Sequence, residues 1–215
     1  MTCSLVWLRV CLFAGAMVLL STGCAKVSRF VASANPYHSA TYEGVRDKWT
    51  KEGRIHRGLE VVLIASATFK SEEFRRAYTE EYAKAHRLAP EEKQTFLEDQ
   101  LGAARLGHDF ILATFVPDKR WDDFDNTKST WRLYLANDMD KHVTPVEVRK
   151  LKGRDPVVSH FFPYITPHKS VYAVRFPYDT PDGGRPFLRD GTEAVTLIVT
   201  SVLGTAEMRW EFDLN

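Results

Sequence analysis

From Asp109 to the C-terminus the apolar residues recur at every second position, a period that an α-helix cannot sort onto one face and an extended strand can. The pattern is clearest at the end of the chain. Ala194–Leu203 (AVTLIVTSVL) is a run of aliphatic and β-branched residues, after which Met208, Trp210, Phe212 and Leu214 alternate with Glu207, Arg209, Glu211 and Asp213. That pattern predicts a hairpin turning at Gly204-Thr205, with one buried and one wet face. Phe110–Val116, Trp131–Ala136, Val143–Val148 and Val171–Phe176 are further short extended runs, separated by turn chemistry such as Pro181-Asp182-Gly183-Gly184 and Asp190-Gly191. Leu59–Phe69 (LEVVLIASATF) is apolar on both faces and reads as the first core strand, buried on both sides.

Two helical segments interrupt the strands. Ser71 precedes Glu72 and Glu73, Phe74, Tyr78 and Tyr82 fall at i, i+4 and i+8, and Lys84, His86 and Arg87 close the segment, the charge order that a helix dipole favours. A second helix opens at Pro90, carries Phe96, Leu97, Leu101 and Ala104 on one stripe, and stops at Gly107. Earlier, Tyr42, Val45 and Trp49 predict a short amphipathic helix within 40–54, with Ser39 as its N-cap. The fold class expected is therefore mainly β: an antiparallel β-sandwich over 55–215 with a helical hairpin inserted at 71–106. The immunoglobulin-like arrangement without its disulfide is one candidate for it.

The N-terminus has a different character. Arg9 is the one charged side chain before position 24, and Val10–Leu20 (VCLFAGAMVLL) has no strongly polar residue. Eleven helical residues span about 16 Å at about 1.5 Å each, roughly half of a 30 Å hydrocarbon core, so a cleaved signal peptide over 1–23 fits better than a membrane span. Leu20-Ser21-Thr22-Gly23-Cys24 follows at once, and it resembles the lipobox of bacterial lipoproteins. Thr22 and Gly23 fit that pattern, whereas Ser21 occupies the position where the class prefers Leu. The resemblance implies cleavage before Cys24, a diacylglycerol on its thiol and an acyl group on its amine. Because the next residue is Ala25 and not Asp, it also implies the outer membrane, on the periplasmic face. An ordinary secretory peptide cut at Ala32-Ser33-Ala34 is the rival reading. Residues 24–39, small, polar and aperiodic, then read as a lipidated tether.

Cysteine and charge counts exclude several functions. The three cysteines are Cys3, Cys11 and Cys24, so a body cut before Cys24 and acylated there holds no disulfide, no zinc-cysteine site and no thiol nucleophile. Loss of residues 1–23 removes Arg9 and leaves 28 of the 29 basic side chains against 28 acidic ones. Nothing in that balance would hold a nucleic acid. Seven histidines include no i, i+3 or i+4 pair, and no Gly-x-Ser-x-Gly, Ser-x-x-Lys or glycine-rich phosphate loop occurs. No cofactor, catalytic or metal residue is assigned. His160 and His168, eight residues apart, read as a surface pair. Asp118, Asp122, Asp123 and Asp125 crowd one loop without EF-hand spacing, and with Lys119 and Arg120 among them they read as a solvated loop, calcium being the alternative.

The stretch His160–His168 holds three aromatics between two histidines, with Pro163 and Pro167, and reads as an edge or loop. Phe161 and Tyr164 are its candidate partner-binding residues. In the competing reading Phe162 and Tyr164 plug the core. The functional expectation is a noncatalytic, membrane-anchored envelope lipoprotein that binds another envelope protein. The alternative is a hydrolase or ligand-binding module acting on an envelope polymer, with the Asp118–Asp125 loop or the His160–His168 stretch as its site.

Overall fold

The computed structural model describes residues 40–139, 141–152, 155–180, 185–189 and 191–212. The expected signal peptide, tether, Ser39 cap and Cys24 lie outside them, as do the Pro181–Gly184 turn and Leu214. Nine strands and four helices are present among the described residues: α1 Ala40–Lys48, β1 Thr50–Arg57, β2 Glu60–Phe69, α2 Glu72–His86, α3 Pro90–Ala104, β3 Gly107–Phe115, β4 Arg132–Asn137, β5 His142–Val143, β6 Glu147–Leu151, α4 Pro156–Phe161, β7 Ser170–Pro177, β8 Ala194–Ser201 and β9 Gly204–Glu211. All strand pairs are antiparallel, in a five-stranded sheet ordered β1-β2-β3-β7-β6 and a four-stranded sheet ordered β5-β4-β8-β9. This is a sandwich with a helical insertion. An immunoglobulin chain changes sheet after its second strand, whereas β1, β2 and β3 lie side by side here.

The inner faces interdigitate through alternate residues. Ala67 and Phe69 of β2, Phe110 and Leu112 of β3, and Val174 and Phe176 of β7 meet Val195 and Leu197 of β8 and Met208 and Trp210 of β9, all buried. Phe69 stacks on Phe110 at 4.8 Å, and Trp210 lies 5.4 Å from Phe110. The helices cover the outer face of the larger sheet. Ser71 caps α2 by accepting the Phe74 amide at 3.1 Å, Arg87 ends it in a left-handed conformation, and the Glu92 side chain accepts the Ala89 amide at 2.8 Å to start α3.

The expected helix over 40–54 is shorter than its apolar spacing suggests. It ends at Lys48, and the first strand is β1, not the Leu59–Phe69 segment. The reason lies in β1's inward positions, Gly53 and Ile55. A Cβ at Gly53 would stand 3.1 Å from the Ala206 Cβ, a tight contact with β9, and the glycine hides the strand's alternation. Trp49 is correspondingly a junction residue: its indole donates to Glu73 at 2.9 Å, and its carbonyl accepts from the Trp210 indole at 2.8 Å.

The last hairpin turns two residues earlier than expected, at Val202-Leu203, and Gly204 already pairs with Ser201. Gly204 has φ +138°, and a Cβ there would lie 2.5 Å from the Ile55 Cγ2. Only glycine meets both demands. The His160–His168 stretch, expected as edge or loop throughout, begins inside the one-and-a-half-turn helix α4, whose cap is Asp155 accepting the Val157 amide at 2.9 Å. Six residues are too few for a helical period to show in sequence.

Candidate functional site

The sequence-nominated residues divide cleanly in the structure. Phe161 is 1% exposed, its ring 4.8 Å from Tyr78 and 6.0 Å from Tyr42, while its carbonyl accepts the Tyr42 hydroxyl at 2.8 Å. A side chain enclosed that way cannot meet a partner, and the partner-binding reading of Phe161 is corrected to core packing. Tyr164 is half-buried, with its hydroxyl 2.7 Å from Thr68 Oγ1 and 3.2 Å from the Ile111 carbonyl. Burial pushes its phenol up, so it stays a neutral hydrogen-bonding group that ties the loop after α4 to the large sheet. Phe162 is buried as well, stacked 5.9 Å from Phe74. Cys24 lies outside the described residues.

The acidic loop is held by its own neighbours. Arg120 brackets Asp118, Asp123 accepts from Ser129 at 2.8 Å, and buried Asp122 accepts from Ser170 at 2.8 Å and Lys119 at 3.0 Å. No group of three or more His, Cys, Asp or Glu side chains able to hold a metal occurs among the described residues. No helix among them is long and apolar enough to cross a membrane.

Two other features carry more chemistry. The first is the end of the sandwich where two hairpins turn. β1 and β9 run alongside each other in opposite directions, since Trp49 meets Trp210, Gly53 meets Ala206 and Ile55 meets Gly204. The β1–β2 and β8–β9 turns therefore share one end of the domain. Their conformational needs are met by glycines, Gly58 at φ +61° and Gly204. Yet Leu59 is fully exposed at the first turn and Val202 is 93% exposed at the second. Neither aliphatic side chain serves the turn or the core, and both sit where Asn, Asp or Ser would be favoured in water.

The second feature is a charged recess on the outer face of the large sheet. The strand register puts Asp109 of β3, Arg175 of β7 and Glu147 of β6 in one row on that face. Arg175 Nε donates to Asp109 Oδ1 at 2.7 Å, and Arg75 of α2 donates through Nη2 to Oδ2 at 2.7 Å, with Nε on the Lys70 carbonyl at 2.8 Å. Burial alone would raise the Asp109 carboxyl, but the hydrogen bonds and charges of Arg175 and Arg75 outweigh it and hold the group below its usual value. Lys70 and Arg149 complete the wall, around a volume of about 200 Å³. Composition and spacing give no sign of this recess: its lining comes from three strands brought together by register and from Lys70, just after β2, with Arg75 of α2 behind Asp109.

His108 is a titratable group in the core. It is 7% exposed, its Nε2 has no hydrogen-bond partner among the described residues, and its ring lies 5.8 Å from Tyr178. Burial pulls it down to about 4, against a hydrogen bond to the Tyr178 backbone and the Asp109 charge, which act upward. The unfolded chain takes up this proton near pH 6.5 and the folded chain only near 4. The resulting stability is complete above about pH 6.5 and falls by about 3 kcal/mol as the pH drops to 4. His108→Gln should remove that part of the slope, measured as chemical unfolding across pH 7 to 4. An unchanged slope would refute the assignment.

No protein-family model matches the chain, and no curated protein matches it. A solved structure described as a novel protein of unknown function from Burkholderia pseudomallei is similar at 12% identity, with 80% of this chain and 82% of that chain covered and a TM-score of 0.37.

Proposed function

We propose that the protein is a lipid-anchored, noncatalytic component of the bacterial cell envelope, held at Cys24 on the periplasmic face of the outer membrane, that docks another envelope protein on its hairpin end. The observation carrying this reading is the pair of exposed aliphatic side chains, Leu59 and Val202, at neighbouring turns that need neither. Burying them against a partner recovers about 25 cal/mol per Å² of apolar surface, which their present positions leave in water. Support for the anchor is the lipobox-like run ending at Cys24 and a chain without cysteine after it. Residues 25–39, fully extended, would reach about 50 Å, enough for the domain to turn that end toward a membrane-bound partner.

Photo-crosslinking in intact cells tests the docking role. A photoreactive residue at 59 or at 202 is expected to give one discrete protein adduct, and the same residue at Val157, 39% exposed on α4, to give none. Adducts to lipid alone would replace the protein partner with the bilayer, and equal silence at all three positions would remove the docking role. Leu59→Ser and Val202→Ser should change folding stability by no more than about 0.5 kcal/mol, because neither side chain is packed.

A further inference from the structure

We propose that the recess formed by Lys70, Arg149 and Arg175 on the outer face of the large sheet binds a phosphate group. Charge is unbalanced there, in a partly enclosed space. Arg75, with a side chain 1% exposed, and Arg175 share the single carboxylate of Asp109, so two guanidiniums are served by one anion. Arg149 and Glu147 form a separate pair at 3.2 Å and cancel. Lys70 adds a further cation: its ammonium makes no ion pair among the described residues and lies 6.0 Å from the Tyr78 ring centroid. Three cations line the recess and Arg75 stands behind Asp109, so four cations are set against two carboxylates, an excess of two positive charges.

Arg149 and Arg175 keep contact with water, but positive charge withdrawn from it, as at Arg75, is costly unless an ion of the opposite sign compensates it. The strain registers on Lys70, whose ammonium is drawn down to about 8, chiefly by burial and then by the Arg75 charge. A phosphate monoester carries about −1.5 to −2 at neutral pH, matching the excess, whereas a carboxylate supplies half of it. The volume of about 200 Å³ suits one such group and not a polymer. Lysine as a mobile point charge beside a partly exposed guanidinium is chemistry suited to phosphate. This inference is independent of the docking role, which rests on other residues at the hairpin end.

The test uses the full chain purified in detergent. Inorganic phosphate, glucose 6-phosphate and phosphatidic acid in micelles distinguish free phosphate, a soluble ester and a lipid headgroup. At least one should bind saturably and raise the melting midpoint with rising concentration, while acetate and chloride at equal ionic strength should not. Lys70→Met and Arg149→Met, each still melting cooperatively, should weaken binding about tenfold or more. Lys93→Met, which loses only a surface pair with Glu80, should leave it unchanged. No midpoint rise with any of the three phosphates, or equal affinity in the wild type and both recess variants, would overturn the site. Either result leaves the crosslinking outcome at 59 and 202 unaffected, so the two proposals fail separately.

Discussion

Asp109→Ala is expected to lower the unfolding free energy by about 3–5 kcal/mol, a large share of the 5–15 kcal/mol that typically holds a domain together. The substitution leaves Arg75, buried on α2 with its side chain 1% exposed, without its carboxylate partner, and the guanidinium cannot reach water without displacing the helix. Arg75→Met should cost distinctly less. It leaves Asp109 paired with Arg175, which still donates at 2.7 Å, and it puts an apolar chain of similar length into a buried slot. Urea unfolding of the two single variants and of the double variant reads the comparison directly. Equal losses for the two single variants, or a loss below about 1 kcal/mol for Asp109→Ala, would mean that the ion pair is solvated and not the clamp between α2 and the large sheet.

Phe161→Ala is expected to cost about 3–5 kcal/mol through the cavity it opens among Tyr42, Tyr78 and Tyr82. Tyr164→Phe should cost only about 1–2 kcal/mol, because Thr68 keeps its 2.7 Å hydrogen bond to Thr50 when the phenol hydroxyl is removed. Crosslinking at 59 and 202, counted per folded molecule, should be the same in both variants as in the wild type. Loss of adducts without loss of stability in Phe161→Ala would return Phe161 to a partner surface and contradict its burial.

Strands and helices whose inward positions carry large side chains were legible in sequence. β8 and β9 with Val195, Leu197, Met208 and Trp210, and α2 with Phe74 and Tyr78, show their periods plainly because packing and pattern coincide there. Where glycine packs against a tertiary neighbour the signal vanishes: β1 reads as the end of a helix because Gly53 brings no inward side chain against β9, and the final turn reads two residues late because Gly204 looks like a turn residue while its φ and the Ile55 methyl make it the first residue of a strand. The recess was beyond sequence reasoning for a different reason. Lys70, Asp109, Arg149 and Arg175 are far apart along the chain and each is an ordinary charged residue locally; the β3–β7–β6 register puts the last three on one face, and Lys70 joins them from the end of β2, its amide donating to the Asp109 carbonyl. Phe161 shows the converse: an aromatic between histidines and prolines looked like a surface feature until α4 turned it inward.

Mass spectrometry of the mature N-terminus tests most directly the proposed tethering of the domain to a membrane at Cys24. The expected product begins at Cys24 and carries a diacylglyceryl thioether and an amide-linked acyl chain, with processing blocked by globomycin and acylation absent in Cys24→Ser. An unacylated chain beginning after Ala34, recovered in the soluble fraction, would contradict the anchor and with it the envelope-tethered role.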